Sequence, residues 1–193
     1  MQSRHWVEIR DLEFGYARKP LFHELSLGLE AGNIYGLLGK NGAGKTTLLK
    51  LLSGLRFPQS GVCRVMELDS ARRPASLLEE IYFLPEEFYL PPINAILYQR
   101  LYAPFYPRFR HEELWRYLEE FQVDRRMKLS QLSYGQKKKF LLAFGLATGS
   151  RLLLLDEPTN GLDIPSKSQF RKLLAEAVEQ DRIILISTHQ VRD

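Results

Sequence analysis

An α/β fold, with a mixed or parallel sheet flanked by helices, is what this 193-residue sequence predicts, and three observations predict it. The first is Gly39 to Thr46, GKNGAGKT, set between a short apolar run, Ile34 to Leu38, and a helical apolar face, Leu48, Leu49, Leu51, Leu52 and Leu55. The second is a pair of later apolar runs, Leu152 to Leu155 and Ile183 to Ile186, each continuous as buried strands are and each ending in polar residues. The third is a change of texture between them. From Pro85 to about Ser130 aromatic residues recur with helical periodicity, as in a helical insertion.

Taken in order, Val7, Ile9, Leu12, Phe14 and Tyr16 alternate with polar residues, and Leu25, Leu27 and Leu29 do so again before a turn at Glu30 to Gly32. Two or three antiparallel strands follow from this pattern, an N-terminal β-subdomain. Ile34 to Leu38 reads as a buried strand, and the leucines after the glycine loop as the inner face of a helix. Pro58 to Gly61 marks a turn, Val62 to Val65 a short strand and Ile81 to Leu84 another. In the insertion the clearest helix is His111 to Phe121, with Leu114, Trp115, Leu118 and Phe121 on one face and a Glu112–Arg116 pair outside. LSYGQ at Leu132 to Gln136 opens a helix running to about Ala147, on which Lys137 to Lys139 reads as a solvated face. After the Asn160–Gly161 turn, a helix from about Pro165 presents Phe170, Leu173, Leu174, Ala177 and Val178.

The length suits one domain over residues 1–193, with the helical insertion at about 87–150 inside it. The lone Cys63 excludes an internal disulfide and a thiolate metal cluster, reads as a core residue and suits a reducing cytosol. No apolar run approaches the ~20 residues of a membrane span, so any action at a membrane is expected from its cytoplasmic side through a partner chain. A net charge of +4 is too mild to specify nucleic acid, and none is expected as a partner.

The glycine loop is the chemical centre. Backbone N–H groups of Gly39, Asn41, Gly42, Ala43 and Gly44 can cradle α- and β-phosphates at the positive end of the following helix. Lys45 reaches the β/γ-phosphates, Thr46 offers a hydroxyl to Mg²⁺, and Thr47 is a second phosphate contact. Asp156 and Glu157 stand at the carboxyl end of a core strand, where open α/β sheets bind ligands. Asp156 can hold the metal, and Glu157 can take a proton from attacking water. Tyr16 ends an alternating run where its ring can stack on a base, and His189 ends the last core strand.

The order glycine loop, helical insertion, LSYGQ, LLLLDE, Gly161-Leu162-Asp163 and His189 resembles the ATP-binding subunit of ABC transporters over about residues 12 to 189. The resemblance implies a P-loop NTPase core that binds ATP and Mg²⁺ and hydrolyses ATP to power transport through a separate integral membrane permease. It places the chain as a peripheral subunit on the inner face of the cell membrane, paired with a second ATPase subunit as homodimer or heterodimer. Tyr16 would stack on adenine and His189 hold the γ-phosphate. Ser133 and Gly135, with Gln136 in the same motif, would contact the γ-phosphate held by the other subunit, and Asp163 would communicate across that interface. The FYPRF run at Phe105 to Phe109 looks like the ABC-2 type exporters. A soluble ABC ATPase of DNA repair or translation and a nucleotide-responsive regulator are the alternatives. Three departures from the family pattern stand out. Tyr134 replaces a glycine of the signature, and Glu86 stands where a glutamine is usual and is expected to join the metal site. The chain also ends four residues after His189, where family members continue with a helix and two strands, so the sheet is expected to be open at one edge or the chain shortened.

Overall fold

The computed structural model describes residues 6–17 and 19–189, so the residues after His189, like those before Trp6, lie outside it. Two four-stranded sheets organise the described residues. The first is antiparallel and comes from the alternating N-terminal runs: β1 (Val7–Tyr16) pairs with β2 (Lys19–Leu29) and with β4 (Ser60–Val65), which pairs in turn with β5 (Leu68–Asp69). The second is parallel, in the order β3 (Asn33–Leu38), β8 (Ile183–Thr188), β7 (Leu152–Asp156), β6 (Ile81–Leu84). Helix α1 (Lys45–Leu52) is packed with the first sheet and one face of the second: Leu48, Leu49, Leu51 and Leu52 join Val7, Ile9, Leu12, Cys63 and Val65 in one core. Burial raises the Cys63 thiol above its ordinary value, as a core residue requires.

The four leucines of β7 are buried on both faces because alternate residues feed two cores. Leu152 and Leu154 point to the core shared with α1, whereas Leu153 and Leu155 point to a second core among the helices. That second core is built by α3 (Ala95–Tyr102), α4 (His111–Glu120), α5 (Tyr134–Ala147) and α6 (Ile164–Glu176), following the short α2 (Ala75–Leu78). Its aromatic residues interlock: Tyr98 meets Phe140 and Phe144 edge-on at 5.0 and 5.1 Å between ring centroids, and Phe109 lies 5.0 Å from Phe144. Tyr89 and Phe105 are the exceptions, 83% and 66% exposed.

Several local expectations are corrected. Strand β3 is not buried: Ile34 and Leu38 are 43% and 59% exposed, because among the described residues β8 is its one hydrogen-bonded neighbour and the sheet ends there. Leu55 is exposed because α1 stops at Leu52 with Ser53 as its C-cap, so the apolar face does not extend that far. Arg116 does not pair with Glu112. It reaches Glu113 at 2.6 Å and Glu120 at 2.9 Å on its own helix and Glu176 at 3.2 Å across on α6. Val178 is half-exposed, two residues past the end of α6. The largest correction is Lys138, which is buried rather than solvated; α5 is enclosed on nearly every side from there to its end.

Candidate functional site: a phosphate-loop cavity

The turn from β3 into α1 needs two left-handed residues, and both are glycine: Gly42 at φ +83° and Gly44 at φ +95°. Gly44 also passes so close to Phe22 that a Cβ there would lie 2.7 Å from the ring. As N-cap of α1 it brings no side chain to the first turn, which leaves the backbone N–H groups there without a side-chain cap. A cavity of about 400 Å³ opens above this turn, lined by Tyr16, Asn41, Lys45, Thr46, Glu86 and Glu157 among others.

Residues distant in sequence meet at its floor. Lys45 Nζ donates to the Gly39 carbonyl at 2.7 Å and the Lys40 carbonyl at 3.4 Å, and stands 3.7 Å from Glu157 Oε1 with both side chains nearly buried. Thr46 Oγ1 donates to Asp156 Oδ2 at 2.7 Å. The parallel register puts Ser187 of β8 opposite Asp156 of β7, and the Ser187 hydroxyl donates to Asp156 Oδ1. The same hydroxyl accepts from the Glu157 N–H at 3.0 Å. His189 Nδ1 lies 3.0 Å from Glu157 Oε2, an ion-pair distance, although that buried oxygen has no hydrogen-bond partner among the described residues. Adjacent hydroxyl and carboxylate oxygens at Thr46 and Asp156 are the hard donors Mg²⁺ prefers. Among the described residues no group of three or more His, Cys, Asp and Glu is placed to hold a metal ion.

Thr47 also lines the cavity; it is largely buried, and its hydroxyl meets the Tyr16 hydroxyl at 3.1 Å. That hydrogen bond holds the Tyr16 phenol below its ordinary pKa and fixes the ring at the cavity rim. Glu86 does reach the cavity wall, where its Oε1 accepts from Asn160 Nδ2 at 3.0 Å. Ser133, Gly135, Gln136 and Asp163 are not among the lining residues. Ser133 and Gln136 form a reciprocal capping box at the start of α5, and Asp163 caps α6 by accepting from the Ser166 N–H at 2.8 Å. Hydrogen bonding from the Ser166 hydroxyl, and then from its N–H, holds the Asp163 carboxyl below its ordinary range.

Three participants were not singled out from the sequence. Ser187 was readable only through its register with Asp156, and Asn160 looked like a turn residue alone. Lys138 is the third: its Nζ donates to the Glu157 carbonyl at 2.6 Å. The available signal was its spacing, since Leu141, Leu142 and Gly145 stand at i+3, i+4 and i+7 on the same, buried face.

A family model described as ABC transporter matches residues 22–160. The chain is 30% identical over 191 residues to the ABC transporter ATP-binding protein YtrB of Bacillus subtilis (strain 168), covering 97% of this chain and 64% of that protein. It is 31% identical over 193 residues to the Nod factor export ATP-binding protein I of Neorhizobium galegae, covering 96% of this chain and 55% of that protein. The chain therefore spans less than two thirds of the length of these two relatives. Among solved structures, an ATP-binding subunit of an ABC transporter superposes with a TM-score of 0.86 at 27% identity, covering 97% of this chain and 80% of that one.

Proposed function

The chain belongs to the ABC transporter family, and from that premise we propose that it binds ATP with Mg²⁺ and hydrolyses it to drive transport through a separate membrane-embedded permease. The observation that carries this reading is the meeting of Lys45, Thr46 and Glu157 in one cavity lining, with Asp156 bonded to Thr46 and His189 beside Glu157, from a loop and the carboxyl ends of two adjacent strands. In this reading the chain is one ATPase domain, with residues about 87–150 as its helical subdomain. Backbone N–H groups of Gly39 and Asn41 to Gly44 hold the phosphates, Lys45 neutralises the β/γ oxygens, and Tyr16 stacks on adenine. Thr46 and Asp156 hold Mg²⁺, with Glu86 on the facing wall. Mg²⁺, when bound, draws charge from the phosphate oxygens as it develops.

Glu157 then receives a proton from the attacking water. Its carboxylate lies between Lys45 and His189, which fix its direction. Thr47 steadies Tyr16 and, from the cavity lining, is a second phosphate contact. Ser133, Gly135 and Gln136, together with Asp163, serve a nucleotide held by a second copy or a related subunit, since none of them lines this chain's own cavity. No helix among the described residues is long and apolar enough to cross a membrane; the separate permease and the cytoplasmic face are read from the likeness to ATP-binding subunits of transporters. Export is the favoured direction, on the resemblance to exporter subunits.

Steady-state ATP turnover in Mg²⁺ tests the reading. Glu157→Gln is expected to slow it by roughly 10²- to 10⁴-fold, as loss of a general base does, while ATP still binds. Turnover that is absent from the parent, or unchanged in Glu157→Gln, overturns it.

A further inference from the structure

We propose that Lys138 is a positioning residue for hydrolysis: its buried ammonium grips the backbone of Glu157 and ties that residue to the helix that opens with LSYGQ. The proposal rests on the reading of Glu157 as general base.

Lys138 has no solvent exposure, which is rare for lysine and costly unless the charge is met. What meets it is the Glu157 carbonyl at 2.6 Å, with the charges of Glu86, Asp156 and Glu157 close enough to act on it. Burial lowers the pKa of the ammonium, and those three carboxylates oppose the fall. The residue gripped is itself unusual. Glu157 has φ +46°, a left-handed conformation uncommon outside glycine that persists only when its surroundings hold it. Its N–H is held by Ser187 through Oγ at 3.0 Å and O at 3.2 Å, and its carbonyl by Lys138 and, at 3.2 Å, by the Asn160 N–H. The backbone angle sets where the carboxylate points, and here it points between Lys45 and His189.

Packing alone does not call for this lysine. A buried charge can often be replaced by an apolar residue of similar volume with no loss of stability, and the following turns of α5 are apolar throughout. The ammonium stands out because it touches the backbone of the residue the chemistry needs. Since Lys138 sits one turn into the helix capped by Ser133, displacement of the signature segment would be felt at Glu157 through one side chain.

The test is Lys138→Met, which keeps the volume and removes the donor, assayed with the parent for kcat, KM, ATP affinity and melting temperature. The expected result is a kcat lower by about 10- to 100-fold, the scale of a misplaced catalytic group. KM and ATP affinity should stay within two-fold of the parent, and melting temperature should be equal or higher. Lys138→Gln, whose amide is one bond shorter but still donates, should recover part of the rate. A Lys138→Met kcat within two-fold of the parent overturns the proposal, as does a loss shared equally by ATP affinity and stability. If Lys138→Met does not fold, Lys138→Leu, which also lacks a donor, decides: parental kcat overturns the assignment, and reduced kcat with parental affinity supports it. A parent with no turnover removes the ATPase reading and this proposal together, whereas an active parent and an equally active Lys138→Met remove only the role of Lys138.

Discussion

At the scale of single residues, the pairing of Lys45 with Glu157 decides how the cavity meets an anion. The lysine is the one cation among the cavity's described lining residues, and its other contacts are neutral carbonyls that phosphate oxygens can replace. A hydrogen bond to a charged group contributes about 1.5–3 kcal/mol. Lys45→Ala should therefore weaken ATP binding by roughly 10- to 100-fold. Calorimetric titration checks this, and unchanged affinity would remove Lys45 from its role. Glu86 is the other residue whose charge matters. A carboxylate is a better ligand for a hard cation than the amide usual at this position, so Glu86→Gln should need more Mg²⁺ for half-maximal turnover. If the two Mg²⁺ titrations overlay, Glu86 acts only as the acceptor for Asn160.

At the scale of elements, helix α5 shows close packing overriding helix propensity. Gly145 lies in its interior, where alanine would favour the helix by up to about 1 kcal/mol. A Cβ there, however, would lie 2.4 Å from the Tyr82 ring, whose hydroxyl is already tied to the Leu141 carbonyl at 3.0 Å. Overpacking of this kind costs about 1–3 kcal/mol. Gly145→Ala should therefore be destabilising in chemical denaturation, and a more stable variant would mean that Tyr82 can move aside. Strands β1 and β2 carry a pH-dependent contact, because His23 Nδ1 and Glu13 Oε1 are 2.6 Å apart on the surface. The hydrogen bond to Glu13 raises the imidazole pKa above 6.5, and the same bond lowers the carboxyl pKa below 4.5. The His23 contribution is full below 6.5 and is lost as pH rises through the raised value. That of Glu13 is full above 4.5 and is lost as pH falls through the lowered one. His23→Ala should thus lower the melting temperature near pH 5.5 and leave it unchanged at pH 8.5; equal effects at both values would show that the charge is irrelevant.

Elements with one period and one environment were the legible ones. The β6, β7 and β8 cores follow from their apolar runs, and α5 and α6 from caps and spacing. The phosphate loop was legible because its chemistry is written in consecutive residues. What stayed hidden depends on pairing between distant segments. Nothing local in Ile34 to Leu38 tells an edge strand from a central one. The run Lys137 to Lys139 hides one lysine whose partner is a backbone carbonyl 19 positions away.

At the scale of the whole molecule, the helical part is tied to the sheet at both ends. At the amino ends of the strands Arg108 bridges Glu80 and Asp181, and Arg151 also meets Asp181 at 3.2 Å. At the carboxyl ends Tyr134 stacks on Phe88 at 5.4 Å, donates to the Glu86 carbonyl and packs so tightly on Gly161 that a Cβ there would lie 2.6 Å from the ring. This explains how the signature tolerates a tyrosine: the ring fills the space between the Glu86 loop and the turn after Glu157. Ser133 and Gly135 are not among the residues that line the chain's own cavity, as the proposed pairing of two chains, each completing the other's nucleotide site, requires. The most direct test is the mass of Glu157→Gln in solution, measured by light scattering with ATP and Mg²⁺ and again with ADP. Twice the mass of one chain in ATP and a single chain's mass in ADP is the predicted result; a single chain's mass at ATP concentrations that calorimetry shows to be saturating would contradict it.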